Sequence, residues 1–327
     1  MVGTVYVTGC LGFIGSEFTE LLLDNRYRVI GVDALTYAAN KSKLLKFETS
    51  WKWNRTGYGG FKFIGERIEN LAYLHEEPEF IVNFAAETHV DNSIGNSSLF
   101  MKSNIDGVRN LLELTRLARG RKPTLIHIST DEVYGDIQQG KHLETDILKP
   151  SNPYSATKAA ADMLIVAWAR TYGIDYNIIR PTNNYGFGQN SEKLIPSAIE
   201  CLRQGRRIKL HNQGTPVRTW LNVADTATAV HTVMTKGKRG EIYNISGDKE
   251  CTNNETVRLI FDAYKKRPIT PNSFIGFDSF EQAVDYSYNR PGQDVRYAVD
   301  DTKLRELGWT PKMVFEQQVE EIVRTSL

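Results

Sequence analysis

The chain has 327 residues, 41% hydrophobic and 24% charged, which is the make-up of a globular domain and excludes disordered, fibrous and membrane-embedded classes. Forty basic against thirty-nine acidic side chains leave a net charge of +1, so no global field draws the protein to nucleic acid or an anionic surface. Three cysteines, Cys10, Cys201 and Cys251, lie far apart and form no CxxC pair, which argues against a disulfide framework and for a reduced, cytoplasmic setting. No run of eighteen apolar residues and no basic-then-apolar leader is readable.

In chain order, apolar runs at Thr4–Thr8, Arg28–Val32, Phe61–Ile64, Phe80–Phe84, Thr124–Ser129 and Tyr176–Ile179 predict strands. Helical spacing at Gly15–Asn25, Ser98–Arg119 and Pro153–Tyr172 separates them, as a parallel sheet with crossover helices requires. The strands read apolar on both faces and so belong inside a central sheet. Beyond residue 180 the elements shorten. Helices are expected near Glu192–Leu202, Ala224–Met234, Asn254–Tyr264, Asp301–Leu307 and Val314–Arg324, and strands near Arg207–Leu210, Val217–Leu221 and Ile242–Ile245. The division is two domains, 1–180 for a nucleotide and 181–327 mainly for a substrate, with 220–245 returning to the first.

Val5-Tyr6-Val7-Thr8-Gly9-Cys10-Leu11-Gly12-Phe13-Ile14-Gly15 is a strand entering a glycine-rich turn and then a helix. Gly9 suits the tight turn, Gly12 allows close approach of a pyrophosphate, and Gly15 lets the helix pack near the strand, with the anion at the helix N-terminus. Asp33 ends the next strand, where a carboxylate accepts from an adenosine ribose and repels a 2′-phosphate, so NAD is expected over NADP.

Tyr154 and Lys158 are four apart on a helix that starts at Asn152-Pro153, hence on one face. A neighbouring ammonium favours phenolate and fits Tyr154 as a general base. Thr130, Asp131 and Glu132 leave the fifth apolar strand at the carboxyl end of the sheet, where open α/β folds bind ligands. From the residues alone, Asp131 and Glu132 are either a divided acid and base or a solvated loop pair. Six histidines include no HExxH or Cys/His cluster, so no metal site is expected, and His89 and His127 read as core histidines. Trp51 and Trp53 read as part of a lid or insertion rather than a nucleic-acid platform.

The series TGCLGFIGS at 8–16, DALTYAAN at 33–40, FAAETHVD at 84–91, STDEVYG at 129–135, NPYSATKA at 152–159, NNYG at 183–186, EKLIP at 192–196, RTWLNVAD at 218–225 and NRPGQDVRY at 289–297 resembles the nucleotide-diphospho-glucose 4,6-dehydratases almost end to end. These are extended short-chain dehydrogenase/reductases. The resemblance implies an α/β fold, a Rossmann-type doubly wound parallel sheet with a smaller α+β substrate-binding domain at the C-terminal side. Bound NAD and a homodimer formed through Ser98–Arg119 and Pro153–Tyr172 are likewise implied.

By the same resemblance Tyr154 deprotonates the glucose 4-hydroxyl with help from Thr130, Glu132 removes the C5 proton, and Asp131 protonates the departing 6-hydroxyl. Lys158 and Asn184 are cofactor contacts, as are Gly9, Gly12, Phe13, Ile14, Gly15, Asp33, Leu35, Thr36, Ala85, Ala86 and Tyr154. Thr88, Thr130, Asn183, Lys193, Leu194, Lys209, His211, Arg218, Asn253 and Arg290 are substrate contacts, with the two arginines suited to a diphosphate.

Three places depart from the family pattern: Gly65-Glu66-Arg67-Ile68 in place of Gly-Asp-Ile at the adenine, Phe187-Gly188 after NNYG, and Asn289 before Arg290-Pro291-Gly292. The short 131–154 stretch, the end at Leu327, THVDNSIGNS at 88–97 and NPYSATKA at 152–159 resemble the UDP-glucose dehydratases of rhamnose synthesis more than the bacterial dTDP enzymes, a resemblance that implies UDP-glucose over dTDP-glucose and a rhamnose or other deoxysugar pathway. The alternatives within reach are a 4-epimerase or decarboxylase of the same family, or a nucleotide-sugar-binding protein without turnover.

Overall fold

A computed structural model describes residues 3–50, 60–266 and 276–326. Trp51 and Trp53, expected in a lid, lie outside the described residues. The strands in chain order are β1 (Thr4–Thr8), β2 (Arg28–Asp33), β3 (Gly60–Gly65), β4 (Phe80–Asn83), β5 (Thr124–Ile128), β6 (Tyr176–Pro181), β7 (Asn183–Tyr185), β8 (Ile208–Lys209), β9 (Val217–Asn222), β10 (Glu241–Ile245), β11 (Lys249–Thr252) and β12 (Val284–Asp285).

Seven of them form one sheet in the order β10-β6-β5-β4-β1-β2-β3, every pair parallel. Successive side chains of a strand face opposite sides, and the core follows that alternation. Val5, Val7, Val29 and Val82 pack on helices Phe13–Asp24 and Val223–Lys236. Tyr6, Ile30, Ile81 and Leu125 pack on helices Gly107–Leu117 and Pro153–Tyr172. This is the doubly wound α/β arrangement expected from the sequence, with β10 on the outer edge beside β6.

A second core gathers Trp220, Ile199, Leu202, Ile260, Phe261, Phe315 and Val319 from β9 and helices Leu194–Arg203, Asn253–Lys265 and Phe315–Thr325. Two small sheets accompany it, β11-β9-β7 and β12-β8.

The segment expected as one helix over Ser98–Arg119 is interrupted. A π-helical turn occupies Met101–Asp106, and the helix that follows ends at Leu117. The wider turn goes with the buried Asn104, whose amide bonds Glu87 N (2.9 Å), Glu87 O (3.0 Å) and Thr157 Oγ1 (2.9 Å), tying this helix to the next and to the loop after β4. Ser129 and Phe84 fall just past the strands assigned to them. Helix Lys41–Ser50 and strands β7, β11 and β12 were not legible as elements.

Candidate active site

The carboxyl ends of β1, β2, β3 and β4 open on one cleft, lined by Gly9, Gly12, Asp33, Thr36, Arg67, Ala85 and Ala86 among others. Gly9 turns the chain with φ +67, and a Cβ there would stand 2.7 Å from Ala85 N. A Cβ on Gly15 would lie 2.0 Å from the Gly9 carbonyl, so the helix can start this close to the strand only with glycine. Gly12 caps the helix without any side chain, which leaves the first amides, from Phe13 and Ile14 on, facing the cleft end of the dipole.

Asp33 is buried and takes Leu11 N on Oδ2 (3.0 Å) and Leu35 N on Oδ1 (2.9 Å). Those bonds stiffen the glycine turn and hold Leu35 at φ +52, a left-handed conformation unusual for leucine. Each carboxylate oxygen keeps a second lone pair for a ribose hydroxyl. Burial pushes the Asp33 carboxyl up, against the pull of the two amides. An uncapped helix end, glycines where a Cβ would block approach, and a carboxylate at the second strand fit a dinucleotide. Asn184 is committed within the protein instead: its Nδ2 donates to Thr182 O (2.9 Å) and its Oδ1 accepts from Thr226 (2.5 Å).

The reacting groups come from two neighbouring elements. Thr130 to Glu132 follow β5 in a short 3₁₀ turn capped by the Thr130 hydroxyl, which accepts from Glu132 N (3.3 Å). Tyr154 and Lys158 stand on helix Pro153–Tyr172, whose start is fixed by a reciprocal cap between Asn152 and Ser155. The structure thus brings together the five residues expected to react.

Asp131 is 3% exposed, its Oδ1 accepts from Thr130 (3.2 Å), and its Oδ2 has no hydrogen-bond partner. Burial, with Glu132 beside it, raises its pKa to about 8, so it is an acid at neutral pH. Burial also raises Glu132, but Arg218, a bond from Asn152 (3.4 Å) and Lys193 pull it back. The two carboxyl groups therefore stand in environments that separate them.

Tyr154 differs from the sequence expectation. Its pKa is raised by burial and by the Glu132 and Asp131 charges, with a Thr130 hydrogen bond opposing. Lys158 Nζ does not spend its bonds on the phenol: it donates to Ile128 O (2.6 Å) and faces His127 Nε2 (3.2 Å).

The expected substrate contacts come from separate segments of the chain. Lys193 donates to the Thr88 carbonyl (3.3 Å) and precedes Leu194, the first residue of its helix. Asn183 Oδ1 is buried without a partner. Lys209 lies over the Tyr288 ring (4.5 Å), and His211 Nδ1 is unpartnered. Asn253 donates its N–H to Pro216 O (2.9 Å). Arg218 is held by Val217 O (2.7 Å), Asp294 O (3.1 Å) and the Tyr297 ring (4.4 Å). Arg290 is paired with Asp91, Nε to Oδ1 at 2.6 Å and a second nitrogen to Oδ2 at 2.8 Å.

Several partners escaped sequence reasoning. Tyr297 and Asp294, bonded to each other, reach Glu132 from far along the chain, with Tyr297 donating to Glu132 Oε2 (3.5 Å). Asp91 carried a signal, since it lies in the THVD motif, but its pairing with Arg290 spans 199 residues. His127 is fully buried, as read, yet it touches Lys158.

The family model of GDP-mannose 4,6 dehydratase matches residues 6–322. The chain belongs to the nucleotide-sugar 4,6-dehydratases of the extended short-chain dehydrogenase/reductase family. It is 38% identical over 323 residues to the low-salt glycan biosynthesis protein Agl12 of Haloferax volcanii, covering 98% of this chain and 97% of that one. It is equally 38% identical over 334 residues to the dTDP-glucose 4,6-dehydratase of Haemophilus influenzae, covering 98% and 96%. Among solved structures, the dTDP-glucose 4,6-dehydratase of Streptomyces venezuelae with NAD bound superposes at TM-score 0.88, with 35% identity and 98% and 95% coverage. These comparisons lend no support to the UDP-glucose preference expected from the sequence. Among the described residues there is no candidate metal cluster, and no helix is long and apolar enough to cross a membrane.

Proposed function

We propose that the protein dehydrates dTDP-glucose to the 4-keto-6-deoxy sugar, with NAD as a cofactor that is regenerated in each turnover. The observation that carries this reading is the adjacent pair Asp131 and Glu132, the first an acid with a free oxygen, the second also raised by burial but opposed by Arg218, Asn152 and Lys193, both beside Tyr154. The relatives named above supply the nucleotide.

Gly9, Gly12, Phe13, Ile14, Gly15, Asp33, Leu35, Thr36, Ala85 and Ala86 would hold the cofactor, and Lys158 its nicotinamide ribose. Bound NAD supplies hydride chemistry, removal at C4 and return at C6. Tyr154 takes the proton of the 4-hydroxyl, with Thr130 bonding that oxygen. The resulting 4-keto group acidifies C5–H, Glu132 removes that proton, Asp131 delivers its own to the departing 6-hydroxyl, which leaves as water, and Glu132 returns its proton to C5 as C6 is reduced. Arg290 and Lys193 bind the diphosphate. Arg290 must first leave Asp91.

We also read the chain as a homodimer through the segments Ser98–Arg119 and Pro153–Tyr172. Leu99, Met101, Leu117, Met163 and Tyr172 on these two segments are 43–62% exposed, an apolar set that a second copy would cover. Sedimentation at twice the chain mass supports the pairing, and a single-chain mass overturns it. The free thiols of Cys10, Cys201 and Cys251 support a cytoplasmic setting. The domain reading stands as 1–180 with 220–245 for the cofactor and the rest of 181–327 for the sugar nucleotide, supported by β10 on the large sheet and by the separate second core.

The activity is tested by incubating the purified protein separately with dTDP-glucose and UDP-glucose and weighing the products. Loss of one water, faster from dTDP-glucose, is expected. Faster loss from UDP-glucose restores that nucleotide, and an isobaric product from both sinks dehydration in favour of epimerisation.

A further inference from the structure

A buried polar chain runs behind the reacting face. The Thr8 hydroxyl donates to Asn83 Oδ1 (2.5 Å), Asn83 Nδ2 faces His127 Nδ1 (3.0 Å), and His127 Nε2 faces Lys158 Nζ (3.2 Å), which donates to Ile128 O (2.6 Å). Asp162 Oδ1 stands 4.0 Å from His127 Nε2, and its Oδ2 takes Arg180 Nε at 3.0 Å. Thr8, Asn83, His127, Asp162 and Arg180 are at most 1% exposed and Lys158 is 3%. The charged groups facing the imidazole are thus Lys158 and Asp162 from one helix and Arg180 from β6, while β1 and β4 present only neutral Thr8 and Asn83.

A neutral imidazole has one donor and one acceptor nitrogen. Burial, with Lys158 and Arg180 near, keeps this ring neutral by holding its pKa well below the usual value. Such a ring can bond the lysine in two ways. Toward an ammonium, Nε2 must offer its lone pair, so Nδ1 carries the proton and Asn83 must turn its oxygen to the ring, with Thr8 accepting from Nδ2. Toward a neutral amine, Nε2–H donates to Nζ and Nδ1 accepts from Asn83 Nδ2, the nitrogen that faces the ring in the structure. Both arrangements keep the Asn83–His127 and His127–Lys158 hydrogen bonds.

We propose that His127 is a positioning residue for Lys158, holding its amino group in both charge states by exchanging which ring nitrogen carries the proton, with Asn83 as the relay. The inference rests on the role given above to Lys158 beside Tyr154. Burial lowers the Lys158 pKa to about 8, so both arrangements fall within the working range. A phenyl ring at 127 would keep the volume but leave Nζ with the Ile128 carbonyl alone along this chain.

Nitrogen-15 NMR of the histidine-labelled enzyme tests the exchange without any assay of activity. The expected result is a ring neutral over the whole range in which ordinary histidines titrate, with its proton passing from Nδ1 to Nε2 as pH rises through Lys158's titration. Lys158→Met should abolish that crossover. One tautomer at every pH overturns the proposal.

Kinetics supply the second arm, using His127→Phe and His127→Gln, since a glutamine amide both donates and accepts near the Nε2 position. His127→Phe is expected to lower kcat roughly 10- to 100-fold with unchanged KM for the nucleotide sugar, and His127→Gln to recover most of it. Wild-type kcat in His127→Phe, or equal loss in both variants with NAD still bound, reduces His127 to packing and overturns the proposal.

Discussion

The two rims of the cleft are built in different ways. The cofactor rim is nearly contiguous: seven residues from Gly9 to Gly15 set a turn, an uncapped helix end and a close helix–strand contact, and one carboxylate, Asp33, locks the turn from the next strand. The sugar rim is assembled from five separate segments, around Asp91, Asp131, Lys193, Arg218 and Arg290, held by pairings that cross up to 199 residues. The local rim is held by bonds within the rim itself, whereas the distant one has internal partners that a diphosphate would have to displace. Damage to the first should therefore be steric and severe, and damage to the second graded and electrostatic.

The largest effect is expected between the rims. Asp131→Asn keeps the shape but cannot protonate a leaving hydroxyl, so kcat for water loss should fall by about 10²–10⁴-fold while NAD and nucleotide sugar still bind. Asp131 has a pKa of about 8 and acts in its protonated form. Wild-type kcat should thus fall as pH rises past 8, and the variant should lose that fall. An unchanged slope removes Asp131 from the acid role.

Next comes Gly15→Ala. The added methyl would meet the Gly9 carbonyl at 2.0 Å, backbone that cannot swing away, so the turn must open. NAD affinity by calorimetry should weaken by at least about tenfold, a cost of about 1.4 kcal/mol. Wild-type affinity would show the turn to be softer than the contact implies. The smallest effect belongs to the distant rim. Asp91→Asn removes the carboxylate that occupies Arg290, a partly exposed pair worth about 0.2–1 kcal/mol. KM for the sugar nucleotide should drop by a few-fold, and a rise in KM would mean that Asp91 orients Arg290 rather than competing for it.

The same contrast explains what could be read from sequence. β1 and its glycine turn, the strand ending at Asp33, and the helix from Pro153 to Tyr172 are specified by neighbours in the chain, and they stand within a residue or two of expectation. β7 was illegible because three polar-leaning residues become a strand only when β9 pairs with them. The π-helical turn at Met101–Asp106 was hidden because it goes with the bonds of Asn104 to Glu87 and Thr157, contacts that exist only once the helices pack. Tyr154 shows the limit for chemistry. Spacing put Lys158 on its face, but folding turned the ammonium toward His127 and Ile128 and left burial to dominate the phenol. Likewise Asp91 and Tyr297 lie in motifs that were read, and only their partners were missing.

The central claim is that one cleft oxidises C4, expels the 6-hydroxyl and reduces C6 without releasing the cofactor. Its most direct test uses dTDP-glucose carrying deuterium at C4 and locates the label in the product by mass and NMR. The expected result is deuterium retained and found in the new methyl group at C6. Deuterium lost to solvent, or still at C4, would contradict it.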